Sequence, residues 1–376
     1  MSATITLDGR NVTGVTLDGV TITRGRSSIY EDIGTGVCVA TLLSGDVAPD
    51  AWQGVSGYTE DYSDVWTGAD VAARVGVTMT VETSGVSGYT EDYSDVWTGA
   101  GATRFTGVVT AVDYTPGELT ITAVDVLEQL GRIYVSAARP AETDFNRAFS
   151  IATAAGVTLT YTGSVSVELA EVQESTDPVT ASRALLTVSD NTDAQVYATR
   201  ENRLIYRRRD TAPPAVISIP EDVTLTDNLV VTQELGDVYN VERVGYGAAE
   251  DRRTVERINQ ASITRYGRRE WRQIETQLLS YSDATALADY WLKHDADPGY
   301  RVREVAILSV VGDDSWNVIA DAIDIFTPVR ISGLPTGSPI PDFTAAVLGY
   351  TETITQTNRT LALSLGYSGY LMEGVN

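Results

Sequence analysis

The stretch that most limits what this chain can become is TRFTGVVTAVDYTPGELTITAVDVLEQLGRIYV, running from Thr103 to Val135. Phe105, Val108 and Val112 stand among small and polar residues. After the turn signal Tyr114-Thr-Pro-Gly117 come Leu119, Ile121 and Ala123 in strict alternation. Period-two patterning on both sides of a Pro-Gly turn predicts an antiparallel hairpin with one buried face. From Val124 the spacing becomes helical: Val126, Leu127 and Leu130 fall at helical intervals, and the segment stops at Gly131.

Composition narrows the chemistry. At 376 residues and 43% hydrophobic the chain can bury substantial cores, and its length suggests two or three domains. It contains no apolar run of about 18 residues that could span a membrane, and the opening MSATITLDGR lacks the basic and apolar regions of a signal peptide. Cys38 is the single cysteine, so no intramolecular disulfide and no cysteine-based zinc site is expected. His294 is the single histidine, which removes most of the equipment for Ser-His-Asp catalysis or transition-metal binding. Lying beside Asp295 near a helix C-terminus, it reads as a cation at a favourable helix end. No Gly-Lys-Ser/Thr phosphate loop occurs. Asp313, Asp314, Asp321 and Asp324 cluster enough to raise glycoside hydrolysis, which needs two acids held ~5–9.5 Å apart across a sugar cleft. Acids are common on barrel loops, so the expectation is a chain with no enzymatic site, no cofactor and no metal. The net charge of −24 argues against binding the outside of a nucleic-acid duplex.

Along the chain, β-branched runs at Thr4–Leu7, Val12–Leu17 and Val20–Thr23 are separated by Asp-Gly at 8–9 and 18–19, a hairpin signal. Arg24-Gly25-Arg26 follows, then the strand-like GVCVATLL at 36–43; the two arginines read equally as salt-bridged side chains or as a subunit contact. An exact duplication comes next: GVSGYTEDYSDVWTGA occupies residues 54–69 and again 85–100. Two copies are too few for a solenoid. Between them Val71–Thr83 alternates as a strand, so the copies read as insertions in successive loops. Each carries Tyr, Tyr and Trp (Tyr58, Tyr62, Trp66; Tyr89, Tyr93, Trp97) with Glu60, Asp61, Asp64 and Glu91, Asp92, Asp95. That is the composition of adaptable binding loops. The acids lack the spacing of a calcium loop. Contact with a neighbouring subunit or another protein, an inert hairpin, and a receptor or metal contact all remain open.

Residues 136–235 read as α/β. Phe145–Gly156 is helical with Asp144 as its candidate N-cap, Thr180–Ser189 is a second helix, and Gln195–Thr199 and Arg203–Arg207 are strands around Glu201-Asn202. Arg207, Arg208 and Arg209 form a basic run, suited to another copy's acidic face. Further on, Asp237–Gly247 is a strand and Ser282–Ala296 a helix, with Ser282 as candidate N-cap. Strands follow at Arg301–Val311, Val329–Ser332, Val347–Thr355 and Thr360–Leu365.

The run FTG-V-strand-turn-strand-D-V-L at 105–127, the strand at 237–247, and the order ALADYWL, Pro298, VRI, LGYTETI, LALSL resemble phage tail hub proteins, the minor tail proteins of a tail tip. Arg24–Arg26 with Val37–Leu43, and VYATRENRLIYRRR at 196–209, resemble the same family. The resemblance covers nearly the whole chain except the duplicated insert. It implies a mainly β fold with an α+β portion: a hub-type barrel at 1–135 with the two insertions, an α/β segment at 136–235, and a second hub-type barrel with one helix at 236–376. It further implies a homotrimer at the distal end of a siphophage tail, matching a sixfold tube to a threefold tip and forming part of the DNA exit channel, whose wall the charge of −24 is expected to make acidic. Its partners would be further copies of itself, a distal tail protein, a tape measure protein and other minor tail proteins, without stable nucleic-acid binding. Arginine in place of lysine (Lys293 is the only one) points to a GC-rich genome such as that of an actinobacterium or its phage. The protein-contact candidates are Tyr58, Tyr62, Trp66, Tyr89, Tyr93, Trp97, Arg207, Arg208 and Arg209. A carbohydrate- or receptor-binding module and a cell-wall hydrolase are the alternatives.

Overall fold

The computed structural model describes residues 3–11, 19–27, 33–43, 48–49, 57–58, 65–66, 72–73, 75–83, 87–89, 96–98, 102–115, 118–163, 166–172, 178–208, 216–219, 231–273, 275–302, 304–310, 314–332, 334, 337–340, 342–355 and 358–367. The fold is mainly β, built on a curled half-barrel sheet. Its local rules are those of the sequence. Asp8 (φ 47°) and Gly9 (φ 78°) both adopt left-handed backbone and turn Ala3–Leu7 onto Arg10–Asn11, as an Asp-Gly hairpin turn requires. Val12–Leu17 and the Asp18 half of the second Asp-Gly lie outside the described residues.

The predicted central hairpin is present. Thr103–Thr115 pairs antiparallel with Glu118–Val124, from Val108 opposite Val124 to Thr115 opposite Glu118; Pro116-Gly117 lie outside the described residues. Leu119, Ile121 and Ala123 are all buried. On the facing strand alternation puts Phe105 and Val109 inside, which leaves Val108 pointing outward at 38% exposure. A bulge between Val109 and Ala111 then shifts the period and brings Val112 back against the core.

Twelve strands join in one sheet. Its main path runs Arg10–Asn11, Ala3–Leu7, Thr78–Thr83, Thr103–Thr115, Glu118–Val124, Gly34–Leu43, Gly19–Gly25, Asp342–Ile354, Pro328–Ser332, Ile217–Ile219. Asn358–Tyr367 adds to the other side of Asp342–Ile354 and carries Glu304–Val310 on its far edge. Strands from both ends of the sequence therefore share one hydrogen-bonded surface. The seam is the pairing of Val20–Gly25 with Gly349–Ile354.

Two glycines make that seam possible. A Cβ on Gly349 would stand 2.6 Å from both the Arg24 carbonyl oxygen and the Arg26 nitrogen. Gly25, at φ 87°, faces the Leu348 carbonyl so closely that a side chain has no room. Both backbones cross where only glycine fits.

A second core lies under the helices. α1 (Val126–Arg132), α2 (Asp144–Ala154), α3 (Ala181–Thr192) and α5 (Tyr281–Asp295) pack with the mixed sheet of Leu159–Thr162, Leu204–Arg207 and Gln195–Ala198, and with Val241–Tyr246 and Arg253–Ile258. α4 (Gln260–Tyr266) and α6 (Asp314–Ala322) complete the helices described. α1 is capped by Asp125, whose carboxylate accepts from Leu127 N at 3.0 Å and from Gly36 N at 2.8 Å, tying the helix to the large sheet. Two caps differ from expectation. Thr143, not Asp144, caps α2, accepting from Asn146 N at 3.2 Å. Ser280, not Ser282, caps α5, accepting from Asp283 N at 3.1 Å. Asp144 is fully buried, and its carboxylate turns inward to Val167 N (3.0 Å) and the Tyr206 hydroxyl (2.9 Å). A better internal use of that side chain releases the cap to its neighbour.

Candidate functional site: a buried arginine junction and two identical hairpins

Where the seam meets α6, four arginines converge on three carboxylates: Arg24, Arg104, Arg200 and Arg359 with Asp321, Asp324 and Glu352. Glu352 has no solvent exposure. It accepts from Arg104 Nε at 2.8 Å and from Arg359 Nε at 2.6 Å, one arginine to each oxygen. Arg359 reaches on to Asp321 at 2.8 Å, and Thr83 Oγ1 donates to the same carboxylate at 3.2 Å. Arg24 donates to Asp324 at 2.7 Å and to the Tyr350 hydroxyl at 3.1 Å. The ring of Tyr350 lies within 5.8 Å and 5.9 Å of the Arg24 and Arg104 guanidinium carbons.

Carbonyls use up further donors. Arg104 binds those of Ala320 and Asp321, Arg200 those of Asp321 and Ile323, and Arg24 that of Ala198. Burial by itself would push the Glu352 carboxyl up, but Arg104 and Arg359 outweigh it and hold the group below its ordinary range. The same exchange runs the other way for Arg104, whose desolvation is overcome by Glu352, so its pKa is raised.

The α6 exit that presents these carbonyls is a tight turn. Asp324 N donates to Thr327 Oγ1 at 2.9 Å, Ile325 N to Asp324 Oδ1 at 2.8 Å, and Phe326 sits at φ 63°, a strained value for an aromatic residue. Phe326 N donates to Val347 O at 2.7 Å and its ring meets Tyr197 edge-on at 5.0 Å, contacts that hold the strained residue in place. The junction thus links residues far apart in the sequence: Arg24 and Arg104, Ala198 and Arg200, and Asp321 to Arg359.

Of the carboxylates that raised glycoside hydrolysis, Asp321 and Asp324 are committed to these guanidiniums. Asp313 lies outside the described residues, as does the side chain of Asp314. His294 packs its ring on Tyr290 at 4.6 Å in the last turn of α5. Arg24 resolves as a salt-bridged interior residue. Arg207 is buried at the end of its strand, and Arg208 donates to Thr192 O at 2.7 Å and to Asp144 at 3.3 Å; Arg209 lies outside the described residues.

The duplicated segments fold alike where they are described. Gly57–Tyr58 pairs with Val65–Trp66, and Ser87–Tyr89 with Val96–Thr98, in one register: Gly57 opposite Trp66, Gly88 opposite Trp97. Each is a two-stranded sheet that joins no other described strand. Tyr58, Trp66, Tyr89 and Trp97 lie on these paired strands; Tyr62, Tyr93 and the repeat's acids lie outside the described residues.

Sequence reasoning missed Arg104, Arg200, Tyr350, Glu352 and Arg359. The signal for Glu352 was present: in the strand GYTETI it alternates onto one face with Tyr350 and Ile354, both buried.

No protein-family model matches the sequence, and no curated protein does. Solved structures do match over the full length. The 43 kDa tail protein of prophage MuSo2 from Shewanella oneidensis superposes with a TM-score of 0.61 at 12% identity, over 99% of this chain and 100% of that one. The tail protein from Neisseria meningitidis MC58 gives 0.59 at 10% identity, over 99% of each chain. The fold is that of phage tail proteins. An Escherichia coli component of the type VI secretion system, itself described as structurally similar to the T4 tail proteins gp27 and gp5, gives 0.52 at 7% identity, over 99% of this chain and 79% of that one. In this tail-protein fold the arginine junction locks the seam of the large sheet, and the twin hairpins stand apart from it.

Proposed function

We propose that the chain is a structural protein of a phage tail, a hub that assembles as a homotrimer at the tail tip. The ends of the chain (1–135 and 236–376) would each contribute a hub-type barrel around the α/β segment 136–235. The observation that carries this is the end-to-end superposition on a prophage tail protein, with neither chain left over. The likeness to a protein described as similar to gp27 and gp5 supports the hub in particular. Rigidity is what such a part must supply, and a seam held by glycine crossing and compensated buried charge supports that reading. With four arginines and three acids in one interior cluster, and the flagged Asp321 and Asp324 neutralised there, the residues serve cohesion rather than turnover.

Mass photometry of the purified protein and mass spectrometry of virion tails test the proposal. Three copies per particle, located at the tip by antibody labelling, are expected. A protein absent from the virion defeats the tail role, and a sixfold or monomeric virion copy number defeats the trimer. Adsorption lost without any assembly defect on deleting residues 85–100 would move the twin hairpins to receptor binding.

A further inference from the structure

Between α2 and α3 the second core opens a cavity of about 190 Å³. Its apolar wall includes Ile151, Val179 and Val188, and three arginines line it: Arg139, Arg147 and Arg183. In a chain of net charge −24, three guanidiniums around one cavity are a local reversal of sign.

Their settings differ. Arg147 is buried and internally satisfied, donating to Gln277 Oε1 (2.7 Å), Pro140 O (2.7 Å) and Ala170 O (2.8 Å), with Glu142 at 3.3 Å. It is part of the wall. Arg139 is fixed through its backbone, which exchanges two hydrogen bonds with Val172, yet its Nη2 is buried without a hydrogen-bond partner. Arg183, on the first turn of α3, is exposed. A buried guanidinium nitrogen without an acceptor is unfavourable, and an incoming carboxylate would relieve it.

An engineered cavity of about 150 Å³ holds a benzene molecule, so this one has room for a phenol ring. The ligand its chemistry calls for is therefore an aromatic ring with carboxylates beside it. The chain carries that twice: Tyr-Thr-Glu-Asp-Tyr at 58–62 and at 89–93. Both copies sit on hairpins that pair with no other described strand, and an isolated two-stranded hairpin is marginal in water. In sequence the second hairpin lies between Thr78–Thr83 and Thr103–Thr115 and the first precedes Thr78–Thr83, strands of the large-sheet core, whereas the cavity belongs to the second core.

We propose that the arginine cavity between α2 and α3 is the docking site for the acidic, tyrosine-bearing duplicated segment of a second copy of this chain. The ring enters the apolar part and the flanking Glu and Asp meet Arg139 and Arg183. Two identical segments per chain raise the local concentration of the ligand. This rests on the self-assembling tail reading, and the test separates the two.

A fluorescein-labelled peptide GVSGYTEDYSDVWTGA is titrated with the full chain at low concentration and followed by anisotropy. Saturable binding is expected, weakened at least tenfold by R139E/R183E, by the cavity-filling A184F and by replacing both peptide tyrosines with alanine, and weakened by added salt. The charge reversal of Arg132, an exposed side chain paired with Glu128 on α1, should leave it unchanged. Absence of binding, equal binding of a scrambled peptide, or binding indifferent to R139E/R183E overturns the docking and leaves the tail reading standing. A chain that binds the peptide as specified but assembles into dimers or another non-threefold particle supports the docking and defeats the trimer, whereas a chain that stays monomeric at high concentration overturns the docking between copies. Circular dichroism melts of each variant confirm that the fold is retained. If R139E/R183E unfolds, A184F and the peptide variants decide.

Discussion

Among the described residues each core buries a strand glutamate, and the two are handled in opposite ways. Glu352, in the large sheet, has an arginine on each carboxylate oxygen and is held in its charged form. Glu242, in Val241–Tyr246 of the second core, is equally unexposed, but neither of its oxygens has a hydrogen-bond partner. Burial, with Asp295 adding repulsion, pushes its pKa up to about 9. An arginine is near: Arg257 stands directly opposite on the neighbouring strand, but its Nε goes to Asp289 of α5 at 2.8 Å. A cation close in register therefore does not make a pair. What decides is which way the guanidinium turns: Arg104 and Arg359 turn inward onto Glu352 at the seam. Compensated in this way, Glu352 holds together elements distant in sequence; Glu242, whose oxygens have no partner, is an internal weakness.

The largest test breaks the compensated side. Glu352→Ala leaves two arginines facing an apolar hole and should cost about 3–5 kcal/mol, read as a lower denaturant midpoint. Replacing Arg104, Glu352 and Arg359 together by Met, Leu and Met should cost clearly less than the sum of the single changes. If Glu352→Ala costs under about 1 kcal/mol, the junction does not hold the seam. The acid side of the same group follows from its sign: a depressed carboxyl contributes stability that is present above its unfolded value and lost as pH falls below ~4.

A middle-sized effect probes the seam without charge. Gly349→Ala places a methyl 2.6 Å from the Arg24 and Arg26 backbones, and should cost about 1–3 kcal/mol by forcing the strands apart. Thermal melts measure it. An unchanged melting temperature would mean that the seam yields and that the glycine crossing does not set it.

A third effect has the opposite sign: Glu242→Gln should stabilise the protein near pH 8, because the folded state then no longer has to keep a proton that the unfolded chain releases. The folded state keeps a proton on Glu242 that the unfolded chain releases above ~4.3, so wild-type stability attributable to this group falls as pH rises from about 5 to 9. The gain from the substitution should therefore grow across that window and vanish near pH 4. A gain independent of pH would show that Glu242 is not the titrating group.

Much of the local structure was legible. Alternation located the Thr103–Val124 hairpin, the Asp-Gly at 8–9 turned as expected, and helical spacing located α1, α2, α3 and α5. Legibility failed where a residue had two uses. Asp144 and Ser282 are good caps by type, yet Thr143 and Ser280 hold those places. Asp144 was drawn to Tyr206 and Arg208, partners more than sixty positions away. α4 and α6 are short and lacked a read pattern. The twin hairpins were visible as a duplication, and their shared register followed from identical sequence.

By itself the sequence determined the strands, the turns, most helices and the poverty of catalytic side chains, because these rest on neighbours two to four positions apart. Only the tertiary structure decided that both ends of the chain share one sheet, that Gly25 and Gly349 cross, and that Arg104 meets Glu352 across 248 positions. The physical reason is range. Side-chain periodicity is written in consecutive residues. The compensation of a buried charge depends on which guanidinium the folded backbone delivers to it, and on whether another acid has already taken it.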